Sequence, residues 1–485
     1  MIFTMVLAVF ADSAEIYSDY YLKVGLAYGS SAPSVADISA SGNLKLSAIY
    51  DNEHDFDTSA VSDIEAYSSV KLVNAGDHID VYDAAAYGTQ VLNPETGEME
   101  DALPVIELTG NGKEFISAGT YFDDEARIRY QGSEYRGGII PLLKDGKMTI
   151  INYIKADDYI RGVLHAEIGQ SSPAETLKAQ AVTARSFTYI NKTKHKSNGF
   201  GLCTTTHCQV YKGVSGEYTS TNQAVDATSG EMMYYNGKPV SAYYSANSGG
   251  HTQNCEDVWG NSLGYLRGKV DEYSPSYTWE VKLTKAQIES ALASKGIGEV
   301  ISVSIDKYNS AGAAASVTVK GTGGTVNAKK DSIRNMFPGT SLKSTMFTIS
   351  SQGGTSGPGQ GSAPEMSETS YYAVDSTGSK VKLGNSLFAL SSSGVAKINL
   401  GGSYVISADG SKSVLESGSN GNNTDTETVT GDVIYLDDDS DVLVISGKGY
   451  GHGVGMSQQG AQAMGKLGFS YKDILNYYFT DIEIK

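Results

Sequence analysis

The chain has 485 residues, enough for a sizeable core, and carries 37 Lys and Arg against 55 Asp and Glu for a net charge of −18. No stretch of the sequence gathers basic residues, which disfavours nucleic acid and anionic membrane surfaces as primary partners. The 55 Gly and 32 Tyr, with 10 Pro and 19% charged residues, suit a β-rich domain with many turns and polar, aromatic clefts.

Met1 to Ala11 form an apolar run too short for a membrane span, followed by small residues around Ser13-Ala14 suited to cleavage. Residues 1–14 therefore read as a signal peptide without the usual basic start, and the expected location is extracytoplasmic, secreted or bound to the cell wall. From about Tyr21 to Lys155, short apolar runs such as Tyr21 to Leu26 and Met148 to Ile154 are broken by Gly, Asn and Asp, a pattern of strands and turns. The first strong helix is predicted from Pro173 to about Asn191, with Ser172 as N-cap, Pro173 at the first helical position and Glu175 completing a capping box.

Strand-like segments follow at 240–243, 300–303, 316–319 and 346–349, and an amphipathic helix at 284–294. Two Gly/Ser-rich stretches, 351–361 and 417–424, cannot bury a core and read as flexible links flanking a minor β module at 371–408. The chain resumes with a strand at 442–445 and ends in two short helices. The expected organisation is α+β: a β-rich domain in two parts, 15–350 and 432–485, with a site-bearing helix and a small β insertion at 351–431.

The candidate chemistry begins at Glu167, in Leu164-His165-Ala166-Glu167-Ile168-Gly169. A lone Glu before a helix is in most proteins a surface charge or a capping partner. On the helix that follows, Lys178, Val182, Arg185 and Tyr189 share one face. From spacing alone, Lys178 and Arg185 read as a solvated face with their stems packed down.

The three cysteines, Cys203, Cys208 and Cys255, cannot all pair with one another within the chain. His195, Cys203, His207 and Cys208 offer two thiolates and two imidazoles, a set that fits a structural tetrahedral Zn with no open position. The alternative is a Cys203–Cys208 disulfide, which an exported location permits. Near the end, the alternating glycines of Gly447 to Gly455 resemble a dinucleotide loop only superficially, because no further βαβ unit follows. Glycines at this density let the backbone approach a ligand closely.

Several ordered motifs change the weight on Glu167: Ile160 to Glu167, Ser172 to Tyr189, Cys203-Thr204-Thr205-Thr206-His207-Cys208-Gln209-Val210-Tyr211, Ser248-Gly249-Gly250, Glu256-Asp257-Val258-Trp259-Gly260, and Gly449 to Gln458. Together they resemble the sporulation-protein-D and amidase-enhancer family of bacterial cell-wall proteins, over most of 140–350 and 440–485. The resemblance implies that Glu167 is the catalytic acid of a lytic transglycosylase, cleaving the MurNAc-GlcNAc bond of peptide-stripped peptidoglycan with formation of 1,6-anhydro-MurNAc. A single carboxylate then serves as acid and afterwards as base, where ordinary glycosidases use two.

The resemblance further implies that Lys178 and Arg185 bind or polarise the glycan, and that Tyr450, His452 and Gln458 line the cleft. Tyr243, Tyr244, Ser245 and Ser248 make a candidate wall, with Asp257 and Asp271 as further polar contacts. Zinc at the His/Cys cluster also occurs in members of the family. The chain departs from the family pattern at Ile168-Gly169, where Met-Pro is usual. The expected partners are peptidoglycan glycan strands and a cell-wall amidase or other sporulation wall hydrolase, with a noncatalytic enhancer of such an amidase as the rival role.

Overall fold

The computed structural model describes residues 20–49, 67–93, 95–118, 126–337, 339–340, 342–352, 432–436 and 439–485, with further short strands at 56–57 and between 371 and 414. The expected signal peptide, the link at 417–424 and all but the first two residues of the link at 351–361 lie outside the described residues. The fold is α+β, and the chain divides into two compact units: residues up to Tyr277 with Lys448–Lys485, and Thr278–Gly447.

In the first unit, strand β1 (Tyr21–Ala27) pairs antiparallel with β3 (Lys147–Lys155), which pairs in turn with β2 (Gly138–Lys144), at the heart of a seven-stranded sheet. A two-residue strand, β4 (Leu202–Cys203), joins the other side of β1 in parallel, with Cys203 opposite Gly25. A six-stranded antiparallel sheet accompanies this one. Its strands at Val35–Ala40 and Ser69–Asn74 alternate buried and more exposed residues, so Ile38, Val70 and Leu72 share an apolar core with Ile116, Ile139 and Ile150.

Strand β3 runs directly into helix α1 (Ala156–Ile168). Asp157 and Asp158 favour the positive end of its dipole, while Tyr159, Ile160, Val163, Leu164 and Ile168 repeat at helical spacing and are buried. This helix is absent from the sequence-based expectation. Met148 to Ile160 carries apolar residues through the β3–α1 junction with no Gly or Pro to mark where period two becomes period 3.6. Glu167 accordingly stands in the last turn of α1 and not in a loop ahead of the first helix.

Helix α2 (Ala174–Asn191) is buried on nearly every side, which its Ala, Ser and Thr residues allow. The hydroxyls of Thr183 and Ser186 satisfy themselves on the carbonyls four residues back, at 2.7–2.8 Å. Helix α3 (Thr219–Asp226) packs beside it. The C-terminal helices α4 (Gln458–Lys466) and α5 (Tyr471–Tyr478) close another side, bringing Ala461, Met464, Ile474 and Leu475 against Ala179 and Val182.

The expected capping box at α2 does not form. Pro173 occupies the N-cap, and the Ser172 hydroxyl donates to the carbonyl of Ile168 at 2.8 Å, tying the end of α1 instead. Glu175 accepts the Tyr471 backbone N–H at 2.8 Å, so it serves the start of α5. Ser457 caps α4, its hydroxyl accepting from the Gly460 N–H. The strand expected at 240–243 lies slightly later, as β5 (Tyr244–Ser245), paired in parallel with β6 (Met456–Ser457).

The second unit contains a three-stranded sheet, ordered Thr278–Thr284, Val442–Lys448, Phe347–Gln352, and a four-stranded one, ordered Thr325–Lys329, Ala314–Gly321, Val300–Tyr308, Val433–Tyr435. The helix expected at 284–294 runs over Lys285–Leu292, with Thr284 and Gln287 forming a true capping box. Between 371 and 414 the described strands form three two-stranded hairpins.

Candidate active site and metal centre

Glu167 is half-buried at the end of α1. Burial pushes its carboxyl above the ordinary range, opposed by a hydrogen bond from the Val210 backbone N–H, at 3.4 Å, and by one from the Tyr244 hydroxyl. The Gln458 side-chain amide donates to the Glu167 carbonyl at 2.9 Å, joining the end of α1 to the start of α4. Gly169 then ends α1 at φ 77° and donates to the His165 carbonyl. A proline, confined to negative φ and lacking the N–H, fits neither condition, so the departure at Ile168-Gly169 goes with a different exit from the helix.

The Tyr244 hydroxyl is itself positioned. It accepts from the Gln209 side-chain amide at 3.3 Å, while the Gln209 carbonyl oxygen accepts from Thr188 at 2.7 Å. Gln209 is almost fully buried, and residue spacing carries no sign that it orients Tyr244.

From Tyr244 a run of rings leads outward. Phe187 lies edge-on to Tyr244 and Tyr243, Tyr243 is 4.5 Å from Trp259, and Trp259 is 4.9 Å from His452. Trp259 remains 41% exposed, so this aromatic wall presents a face to solvent. Trp259 lies within the 256–260 motif, where nothing in the residue pattern marks it out, and a solvent-facing Trp is suited to stacking on a sugar ring.

His452 therefore joins the wall, and its Nδ1 accepts the Val454 N–H at 3.1 Å. Tyr450 is exposed and stacks on Tyr277, with its backbone bridged to Asn247. The glycines around them approach the chain itself where a ligand was expected. A Cβ on Gly455 would lie 2.2 Å from the Tyr243 carbonyl, so the run packs against the segment that carries the wall.

Other expected substrate contacts lie elsewhere. Arg185 has no solvent exposure; its guanidinium pairs with Asp157 at 2.7 Å and donates to the Glu231 carbonyl at 3.0 Å. Its place is structural, because α2 has no solvated face at that position. Lys178 is paired with Glu175 at 2.7 Å and sits over the Tyr471 ring. Ser245 is buried beneath Gly451, and the Ser248 hydroxyl donates to buried Asp271, which also receives the Tyr478 hydroxyl. Asp257 accepts from Asn254 at 3.1 Å, on the short helix Cys255–Val258.

The second constellation assembles where β4 meets the segment after α2. One ligand atom each from His195, Cys203, His207 and Cys208 lies within 4.8 Å of all the others. His207 Nδ1 and His195 Nε2 are 3.2 Å apart, and three of the four sulfur–nitrogen separations, all but that of Cys203 and His195, are 3.4–3.8 Å. Ordinary zinc bond lengths in a tetrahedron give edges of about 3.3 Å between nitrogens and about 3.6 Å between sulfur and nitrogen, so this donor set fits the ion. Burial raises the Cys203 thiol, but hydrogen bonds, first among them that from Thr205, bring it down to about 6; burial pushes Cys208 up to about 11. Among the described residues, all three cysteines are free thiols.

Residues 144–235 match the sequence model of the family described as Stage II sporulation protein, which bears out the motif resemblance across Glu167, α2 and the His/Cys cluster. Over 187 residues, 38% of this chain and 50% of the relative, the chain is 33% identical to an uncharacterized protein of Brachyspira hyodysenteriae. It is 28% identical to the amidase enhancer of Bacillus subtilis over 330 residues, 66% of this chain and 39% of the relative. To the stage II sporulation protein D of Bacillus subtilis it is 29% identical over 174 residues, 32% of this chain and 50% of the relative. The chain thus spans half or less of the length of these relatives.

Proposed function

We propose that this chain, carrying a stage II sporulation protein domain at 144–235, is an extracytoplasmic lytic transglycosylase of peptidoglycan glycan strands, with Glu167 as its acid. The observation that carries this reading is a half-buried carboxyl, raised above its ordinary range, beside a solvent-facing aromatic wall. A Glu whose burial lets it hold its proton to higher pH than usual donates to the glycosidic oxygen between MurNAc and GlcNAc. The carboxylate so formed takes the proton of the muramoyl 6-hydroxyl, whose oxygen closes the 1,6-anhydro ring, and no water is consumed. The groups acting on Glu167, Val210 and Tyr244, include no second carboxylate, in keeping with one residue working in both directions. Tyr243, Trp259 and His452 would hold the sugar faces.

Mass spectrometry of products from peptide-free glycan strands tests this. Anhydro-disaccharides from the parent and none from Glu167→Gln support it; equal release from both refutes it. The similarity to an amidase enhancer over 66% of this chain favours a second reading, in which the protein binds the wall and accelerates a separate amidase. That reading requires no anhydro product from any glycan and a faster amidase on mixing.

His195, Cys203, His207 and Cys208 are further assigned a structural zinc. A four-ligand site is closed, so the ion would supply folding energy and fix the loop at 203–208.

A further inference from the structure

At one edge of the six-stranded sheet the strands Ile79–Asp83 and Ile106–Leu108 pair antiparallel, with Asp80 directly opposite Glu107. Ile79, Val81 and Leu108 enter the apolar core, so period-two alternation turns both carboxylates to the outer face. Like charges directly opposite on paired strands repel. The local chain offers nothing basic against them: residues 72–112 carry eight Asp and Glu and no Lys or Arg. On the neighbouring strand Lys71 stands opposite Tyr82, and its ammonium is paired with Asp37. Among the described residues, neither Asp80 nor Glu107 pairs with a Lys or Arg.

A tight turn brings His78 to this pair. The Ala75 N–H donates to the His78 carbonyl at 3.1 Å, and the Asn74 side chain accepts the Gly76 N–H at 2.9 Å. The imidazole Nδ1 lies 2.6 Å from Asp77 Oδ1, and Nε2 lies 3.2 Å from Asp80 Oδ1. A neutral imidazole has one N–H. Given to Asp77, it leaves the Nε2 lone pair facing an Asp80 oxygen. An oxygen of Glu107 completes a set in which one ligand atom of each residue lies within 4.8 Å of the others. A proton bridges two acceptors along one line, whereas three converging acceptors suit a metal ion.

We infer that His78, Asp80 and Glu107 form a metal centre for a divalent ion of the zinc type, separate from the His/Cys cluster. Imidazole suits zinc and its transition-metal neighbours, whereas calcium and magnesium take oxygen ligands. Ordinary zinc bond lengths in a tetrahedron give an edge of about 3.3 Å between nitrogen and oxygen, which the 3.2 Å from His78 to Asp80 matches. Asp77 supplies the outer carboxylate that fixes a ligating imidazole and raises its basicity. Three protein ligands leave a fourth position for water or for an oxygen of an incoming ligand. Because Glu107 and Asp77 are exposed, the ion exchanges with solvent, and the centre fills when zinc is supplied. This assignment shares no residue with the Glu167 site and is independent of the chemistry there.

The test uses the whole chain, purified without added metal, with zinc chloride as titrant in calorimetry. One ion per chain is expected to bind beyond that on the His/Cys cluster. His78→Gln and Glu107→Gln are each expected to weaken it at least about tenfold. Glu98→Gln, which removes an exposed carboxylate of the same segment outside the set, is expected to bind as the parent does. Cobalt(II) separates the two centres, because thiolate ligands add a charge-transfer band. The equivalent lost in His78→Gln is expected to carry none. No ion beyond the His/Cys equivalent, equal loss in Glu98→Gln, or unchanged affinity in His78→Gln and Glu107→Gln overturns the proposal. So does a thiolate band on the lost equivalent, or calcium bound as tightly as zinc. Unchanged melting of the variants before zinc is added keeps the comparison free of folding effects.

Discussion

The Val210 backbone N–H donates to Glu167 Oε1 at 3.4 Å, and Val210 stands two residues beyond Cys208. One short segment therefore carries both sulfurs of the His/Cys cluster and, immediately afterwards, both Gln209, which holds Tyr244, and the N–H that meets the carboxylate. Order in that segment is order around the candidate acid.

Glu167→Gln is expected to cut anhydro-sugar release by at least about 100-fold, the lower range for a lost general acid. Burial raises the Glu167 pKa in the folded state, so the native protein binds the extra proton. Its stabilising contribution is complete below the unfolded pKa and is lost as pH rises through the higher folded one. The always neutral Gln escapes that loss. Melting curves should place the variant above the parent near neutral pH, with the gap closing at acid pH; a variant that melts lower at neutral pH contradicts this.

Tyr244→Phe removes a hydroxyl whose hydrogen bond lowers the Glu167 pKa. The alkaline limb of the pH–rate profile, where the acid loses its proton, should move to higher pH. Stability should fall by about 1 kcal/mol from the lost contact with Gln209. A limb that moves down in pH would show that the hydroxyl acts on Glu167 in the opposite sense.

Arg185→Leu leaves Asp157 facing a buried, unpaired position, and a loss of about 3–5 kcal/mol is expected by denaturant titration. Lys178→Ala breaks a partly exposed pair with Glu175 and should cost less than about 1 kcal/mol. If both variants are as stable as the parent while KM for the glycan rises for Arg185→Leu alone, the structural role given to Arg185 is wrong.

Elemental analysis of protein purified without added metal should find one zinc per chain. A strong chelator, or Cys203→Ser, should lower the melting temperature and, by loosening Val210, move the alkaline limb upward. Metal-free protein with Cys203 and Cys208 oxidised together would establish the disulfide instead.

Much of this architecture is legible in residue order: the strands before 155, the body of α2, the helix at 284–294, and the two closing helices. The helix bearing Glu167 is not, because β3 and α1 are both buried and adjoin without a breaker. Arg185 misleads for a related reason. Helical spacing sorts residues onto faces but cannot tell that α2 is covered on nearly every side, Arg185's included, for which its small residues are the available sign. The spread of Tyr244, Trp259 and His452 across more than 200 positions likewise leaves no local pattern from which to read an aromatic wall.

The amide that holds the Glu167 carbonyl belongs to Gln458, 291 residues further along the chain. A ribosome making this protein releases α1 and α2, then the whole second unit, before it reaches the segment that completes the first. The candidate acid is therefore assembled last, whatever the order of its letters. A chain truncated between Cys208 and Met456 carries every residue of the His/Cys cluster and Glu167 itself, yet lacks the strand and helix that frame the acid.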